Sequence, residues 1–150
     1  PIDTLNELEV YFGNIDIRHH LCRLNDIEET KKLVRKYINH VNNLPIEKVS
    51  IYEPLPIEDE SRKIPKSGYY KGEPFWGTWE ERNNIRLTFR DELLKVTSRV
   101  KIILWTDYLL NERKQLDFRH METPQSIHLS RSSYPYWSGK QINTLEEFMR

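Results

Sequence analysis

A chain of 150 residues is the size of one ordinary domain, and at that length roughly 70% of the unfolded surface can be buried without staples. Its 23 basic residues match its 23 acidic ones, so no net field draws it to nucleic acid or to an anionic membrane. Four Trp, eight Tyr and five Phe set it apart from disordered chains, which lack aromatic residues.

The single cysteine, Cys22, cannot form an internal disulfide and fits a reducing, cytoplasmic location. No apolar run approaches the ~20 residues of a membrane helix, so no membrane span is expected. The first residues carry no signal-peptide pattern. The chain opens on Pro1 with no initiator Met, which leads us to expect a processed product or a fragment that begins within a fold.

Leu8 to Phe12 is a short apolar run that stops at Gly13, the pattern of a strand ending in a turn. Asp26 stands where a helix N-cap belongs, with Glu28 and Glu29 in the first turn. Leu33, Val34, Tyr37, Ile38, Val41 and Leu44 then recur at helical spacing until Pro45. Val49 to Tyr52 is the next strand and runs into Glu53-Pro54-Leu55-Pro56, which no helix interior accommodates.

The stretch from 54 to 79 is a long loop rich in proline, glycine and aromatic residues, among them Tyr69, Tyr70, Phe75, Trp76 and Trp79. A loop longer than about 15 residues in a compact domain is usually functional or disordered, and the aromatic content favours order. Helical spacing returns from Glu80 to Val96, with Ile85, Phe89, Leu93 and Val96 on one face and Arg82, Arg86 and Arg90 on others. Those arginines, with Arg99, would form a local basic strip. Val100 to Trp105 reads as a buried strand. Asn143 to Arg150 reads as a terminal helix, with Thr144 and Glu147 spaced as a capping box.

Strands alternating with helices predict a single α/β domain with a mostly parallel sheet. Sites on such sheets gather at the strand carboxyl ends, which here are Gly13 to Arg18, Glu53 to Pro56, and Thr106 to Asp107. Asp16, Arg18 and His20 share one side if residues 17 to 20 stay extended. The cluster reads either as a structural ion-pair network or as a substrate-orienting site. His19 and His20 lack a third ligand at supporting spacing, so no metal is expected. No phosphate loop, Cys-x-x-Cys, His-Glu-x-x-His or Gly-x-Ser-x-Gly is present, and no cofactor is expected. Trp76 and Trp79 either cover the core or offer a flat platform for sugar rings. Tyr134, Tyr136 and Trp137 pose the same choice.

Phe12-Gly13-Asn14-Ile15-Asp16-Ile17-Arg18-His19-His20 and Ile127-His128-Leu129-Ser130 together resemble motifs of the SGNH (GDSL-like) hydrolase superfamily. The first is similar to a Gly-x-Asn-Asp block in the Phe-Gly-Glu-Ile-Asp-Cys-Arg form of some bacterial members, and the second to the terminal Asp-x-x-His block. The resemblance implies a three-layer α/β/α, flavodoxin-like fold, of which residues 1–150 would be the C-terminal two-thirds, lacking its first strands. It implies ester hydrolysis on a glycan or lipid, with His128 as base and Gly13 as an oxyanion-hole donor. Asn14, Asp16 and Arg18 would line the site edge, and His20, Glu53, Trp76 and Trp79 would lie within reach of substrate.

The chain departs from the family at three points. It has no Gly-Asp-Ser nucleophile block, Ile15 stands at the block's Asn position, and Gln125 stands three residues before His128, where a carboxylate is expected. Asp117 and His120 supply a second-ranked Asp-x-x-His. Two expectations follow. Either a missing segment or another protein chain completes the sheet and brings the nucleophile, or the domain is catalytically inactive and serves a binding or structural role in a larger assembly.

Overall fold

The computed structural model describes residues 5–60, 64, 66–74, 76–96, 98–122, 128–130 and 140–142, the last three by backbone alone. Strand β1 (Glu7–Val10) leads through a turn into a π-helical segment, Asp16–Leu21, and a single helical turn, α1 (Cys22–Leu24). Helix α2 (Ile27–Asn42) then returns the chain to β2 (Lys48–Tyr52). Helix α3 (Trp79–Lys95) returns it to β3 (Lys101–Leu104), and β4 is Lys140–Ile142.

The sheet order is β1-β2-β3-β4. The first three strands are parallel, with Val10 beside Ile51 and Ile51 beside Ile102, and β4 runs antiparallel to β3. The alternating α/β pattern read from the sequence is therefore present, with strand ends within two residues of those expected. Strand β4 was not anticipated. The expected terminal helix and the aromatic residues at 134, 136 and 137 lie outside the described residues, as does Gln125.

The pleat divides the sheet's side chains between two cores. Val10, Val49, Ile51, Ile102 and Leu104 face α2 and α3, where Val34, Ile38, Ile85, Phe89 and Leu93 close over them. Tyr52, Ile103 and Trp105 face the other way and meet Leu109, Leu116, Met121 and Leu129. That second cover is built from two short 3-10 turns, Asp107–Leu109 and Phe118–His120, and two isolated β-bridges.

Helix α2 starts where the sequence places it. Asp26 is extended, and its carboxylate accepts from the backbone N–H groups of Glu28 and Glu29. Val34, Ile38 and Val41 are buried at spacings of four and three, while Leu33, counted in the same stripe, is exposed. Helix α3 opens with a capping box in which Thr78 and Glu81 bond each other's backbone N–H.

The basic strip does not exist as a surface. Arg82 and Arg86 are buried. Arg99 instead donates to the carbonyls of Asn42, Leu44 and Ile46, satisfying acceptors left open at the end of α2. No helix among the described residues is long and apolar enough to cross a membrane.

Candidate functional site

The carboxyl ends of β1, β2 and β3 meet at one edge, and most of the residues expected there are present. Gly13 makes the turn out of β1 with φ +104, a conformation that favours glycine. A Cβ at this position would stand 3.0 Å from Phe89 Cζ and 3.2 Å from Pro54 Cγ, so close packing also demands its absence. The Ile17 N–H donates to the Gly13 carbonyl at 2.9 Å and begins the helical segment.

Residues 17 to 20 are thus helical, not extended, and Asp16, Arg18 and His20 do not share a side in the way extended backbone would place them. Arg18 has 0% exposure and turns inward to Glu58, also at 0%. Its Nε lies 2.9 Å and its NH2 2.7 Å from Glu58 Oε2, while NH2 also donates to the Pro56 carbonyl at 2.9 Å and NH1 to Asn14 Oδ1 at 3.3 Å. Asn14 Oδ1 accepts a second bond, from the Leu55 N–H at 2.8 Å. Asn14 and Arg18 therefore sew the turn after β1 to the turn after β2. Of the two readings of this cluster, the observed bonds are those of a buried structural network, with Glu58 rather than Asp16 as the acid.

Glu53 plays the matching part between β2 and β3. Its Oε1 accepts from the Trp105 N–H at 2.8 Å, and its carbonyl accepts from the Trp105 indole N–H at 2.7 Å. Arg86 NH2 stands 2.8 Å from Glu53 Oε2, although no N–H points along that line, so the contact is ionic more than directional. Burial pushes the Glu53 carboxyl up, opposed by the Arg86 charge and the Trp105 N–H. Burial likewise pushes Arg86 down, opposed by Glu53.

His20 is exposed and shares a hydrogen bond with the Tyr70 hydroxyl. His19 is buried and stacks on the Tyr70 ring at 4.4 Å, and the Arg23 guanidinium lies 4.9 Å from the same ring. These contacts dock the 66–74 loop on the π-helical segment. Trp76 and Trp79 are half-buried against the main core, and the Trp79 indole donates to the Ile57 carbonyl at 3.0 Å. Both pack against the core, the contact that the first of their two readings describes.

His128 is exposed, and its carbonyl accepts from the Glu122 N–H beside the Met121–Leu129 bridge. In the alternative Asp-x-x-His, Asp117 caps the 3-10 turn and ion-pairs with Arg119 at 2.6 Å. The bond from Arg119 holds the Asp117 carboxyl below its usual range. His120 tilts onto the Tyr108 ring at 4.7 Å. Among the described residues no group of three His, Cys, Asp or Glu side chains could hold a metal ion.

The described edge also holds a cavity of about 290 Å³ between α3 and the chain leaving β3. Arg86 and Arg90 reach it from α3, Thr106 and Asp107 from the end of β3, and Lys114 from beyond the first 3-10 turn. The sequence marks Thr106 and Asp107 by their place after a strand. It gives no local signal for Lys114, which arrives through the tertiary fold. Comparison of the chain with family models, with curated proteins and with solved structures finds no match in any of the three.

Proposed function

We propose that this chain is an SGNH-like α/β domain that holds a ligand at the carboxyl edge of its sheet and does not hydrolyse esters by itself. The observation that supports this most is the complete burial of Arg18 against Glu58, Pro56 and Asn14. An oxyanion edge needs donors aimed at an open position. Here the Arg18 guanidinium is spent on Asn14, Pro56 and Glu58 acceptors, and the Asn14 carboxamide oxygen accepts from Arg18 and from the Leu55 N–H. The chain also offers no nucleophile in a Gly-Asp-Ser setting.

The second reading is hydrolysis of a glycan or lipid ester, with the serine brought by a further strand or by another protein chain. One observation favours it: the outer edge of β1 pairs with no described strand, and Tyr11, Phe12 and Ile15 are exposed beside it. The full three-layer architecture belongs to this proposal as well.

Incubation of the chain, joined by any further segment or partner chain that pairs with β1, with a short-chain aryl ester separates the two readings. The binding reading expects release of the aryl alcohol at the buffer rate, unchanged in His128→Ala. Turnover by the wild type that disappears in His128→Ala would overturn it and install the hydrolase.

A further inference from the structure

The outer edge of β1 carries backbone groups that no described strand takes up. The Lys48 N–H donates to the Asn6 carbonyl at 3.1 Å, and Glu7 stands beside Lys48 in the parallel register. In such a ladder, alternate residues turn both backbone groups to the same neighbour. Asn6, Leu8 and Val10 therefore face β2, while Glu7 and Glu9 turn their N–H and C=O groups outward. Among the described residues β1 has β2 as its one neighbour in the sheet. An edge of this kind is a template for a further strand.

The side chains say which strand fits. On the helix side the apolar cover is unfinished at this edge. Leu8 is only half-buried against the main core, and Phe12 is 64% exposed although its ring meets Tyr37 at 6.0 Å. On the opposite side Glu7 and Glu9 are exposed, and neither is ion-paired among the described residues. Glu9 Oε2 accepts from the Tyr52 hydroxyl at 3.0 Å, a bond that leaves the carboxylate its charge. Lys48 lies one strand further in, so the outermost charges here are acidic. A second copy of the chain fits poorly. In a two-fold antiparallel pairing, the registers that use β1 most fully set Glu7 against Glu9 or Glu9 against Glu9, and like charges directly opposite destabilise a pair.

We infer that the outer edge of β1 receives an extended, basic segment of another polypeptide in antiparallel pairing. Lysine or arginine stands opposite Glu7 and Glu9, and apolar side chains between them lie beside Leu8 and toward Phe12. Antiparallel pairing is the stronger per residue, and it points the N–H groups of the basic residues at β1. This goes beyond both readings of the site. A strand adds here by backbone and charge whether or not it carries a serine, so the ester assay and the test below fail separately.

The test is titration of the whole chain with end-blocked peptides at constant ionic strength, followed by amide exchange in NMR. Lys-Val-Lys-Val-Lys-Val is the basic probe. Its controls are Glu-Val-Glu-Val-Glu-Val and the basic peptide with its lysine amides N-methylated. In the unliganded chain the Glu7 and Glu9 amides should exchange faster than those of Leu8 and Val10, which bond β2. The basic peptide should bind saturably and slow exchange at Glu7 and Glu9, and both controls should be weaker by about tenfold or more. In the double variant Glu7→Lys with Glu9→Lys, the acidic peptide should become the tighter. Both positions are exposed, so this variant leaves the core in place. Glu7 and Glu9 amides as protected as Leu8 and Val10 before any peptide is added would show the edge already covered, by a second copy if the protection grows with concentration and by this chain if it does not. That result, equal binding of the acidic or N-methylated peptide, or an unchanged preference in the double variant would overturn the proposal.

Discussion

Replacing Glu58 by Gln keeps the shape of the side chain and removes one charge from the most buried ion pair described. Both partners have 0% side-chain exposure, and Arg18 spends two of its nitrogens on this carboxylate. In Glu58→Gln the guanidinium stays buried with no anion beside it, keeping only Asn14 Oδ1, the Pro56 carbonyl and the new amide oxygen. Breaking a buried pair on one side costs about 3–5 kcal/mol, because water cannot reach the charge left behind. For a domain of this length each kcal/mol moves the midpoint by roughly 2–4 °C, so a fall of about 6–20 °C is expected. Guanidinium denaturation should show a lower midpoint with an unchanged slope. Exchanging both partners for apolar residues, as in Arg18→Met with Glu58→Leu, should cost less than Glu58→Gln alone. A loss below about 1 kcal/mol in Glu58→Gln, the size of an exposed pair, would refute the reasoning.

Gly13→Ala should destabilise by about 1–3 kcal/mol, since alanine is strained at φ +104 and its Cβ would press on Phe89 and Pro54; a denaturation midpoint equal to wild type would contradict the tight turn. The Cys22 thiol is pushed up to about 12, chiefly by burial, with Arg82 and Arg18 opposing. Its folded pKa thus exceeds its unfolded value, so this contribution is complete below about pH 9 and is lost as pH rises toward 12. Tyr52, also pushed up to about 12, acts in the same direction. Stability measured from pH 8 to 11 should therefore decline, and the native thiol at pH 8 should react with a disulfide reagent only as fast as the chain opens. Rapid labelling of the folded protein would show that Cys22 is accessible.

The sequence carries the local part of this fold well. The Asp26 cap, the Val34–Ile38–Val41 row and the apolar run before Trp105 are each written in neighbouring residues, and each forms the expected element. The π-helical turn at Asp16–Leu21 was missed because the cue is not periodic. What bends the backbone there is the Gly13 turn and the pull of Glu58, 40 residues away, on Arg18. Sequence proximity suggested Asp16 as the partner of Arg18, and burial selected Glu58 instead. The arginines of α3 misled for the opposite reason. Spacing alone reads Arg82 and Arg86 as solvent-facing, but the loop after β2 folds over them and supplies Pro54 O and Glu53 as partners for Arg86. Lys114 reached the cavity by a route no motif encodes, through the 3-10 turn and the Leu110–Leu116 bridge.

The most direct measurement is hydrogen exchange at the Arg18 side-chain Nε–H, followed by NMR in the intact chain. The bond to Glu58 at 2.9 Å and the absence of exposure predict a resolved signal that exchanges only when the fold opens, and that does not move on addition of an aryl ester. A signal exchanging at the solvent rate, or one that shifts on adding the ester, would place Arg18 in an open site and contradict the account of this edge as a sealed structural junction.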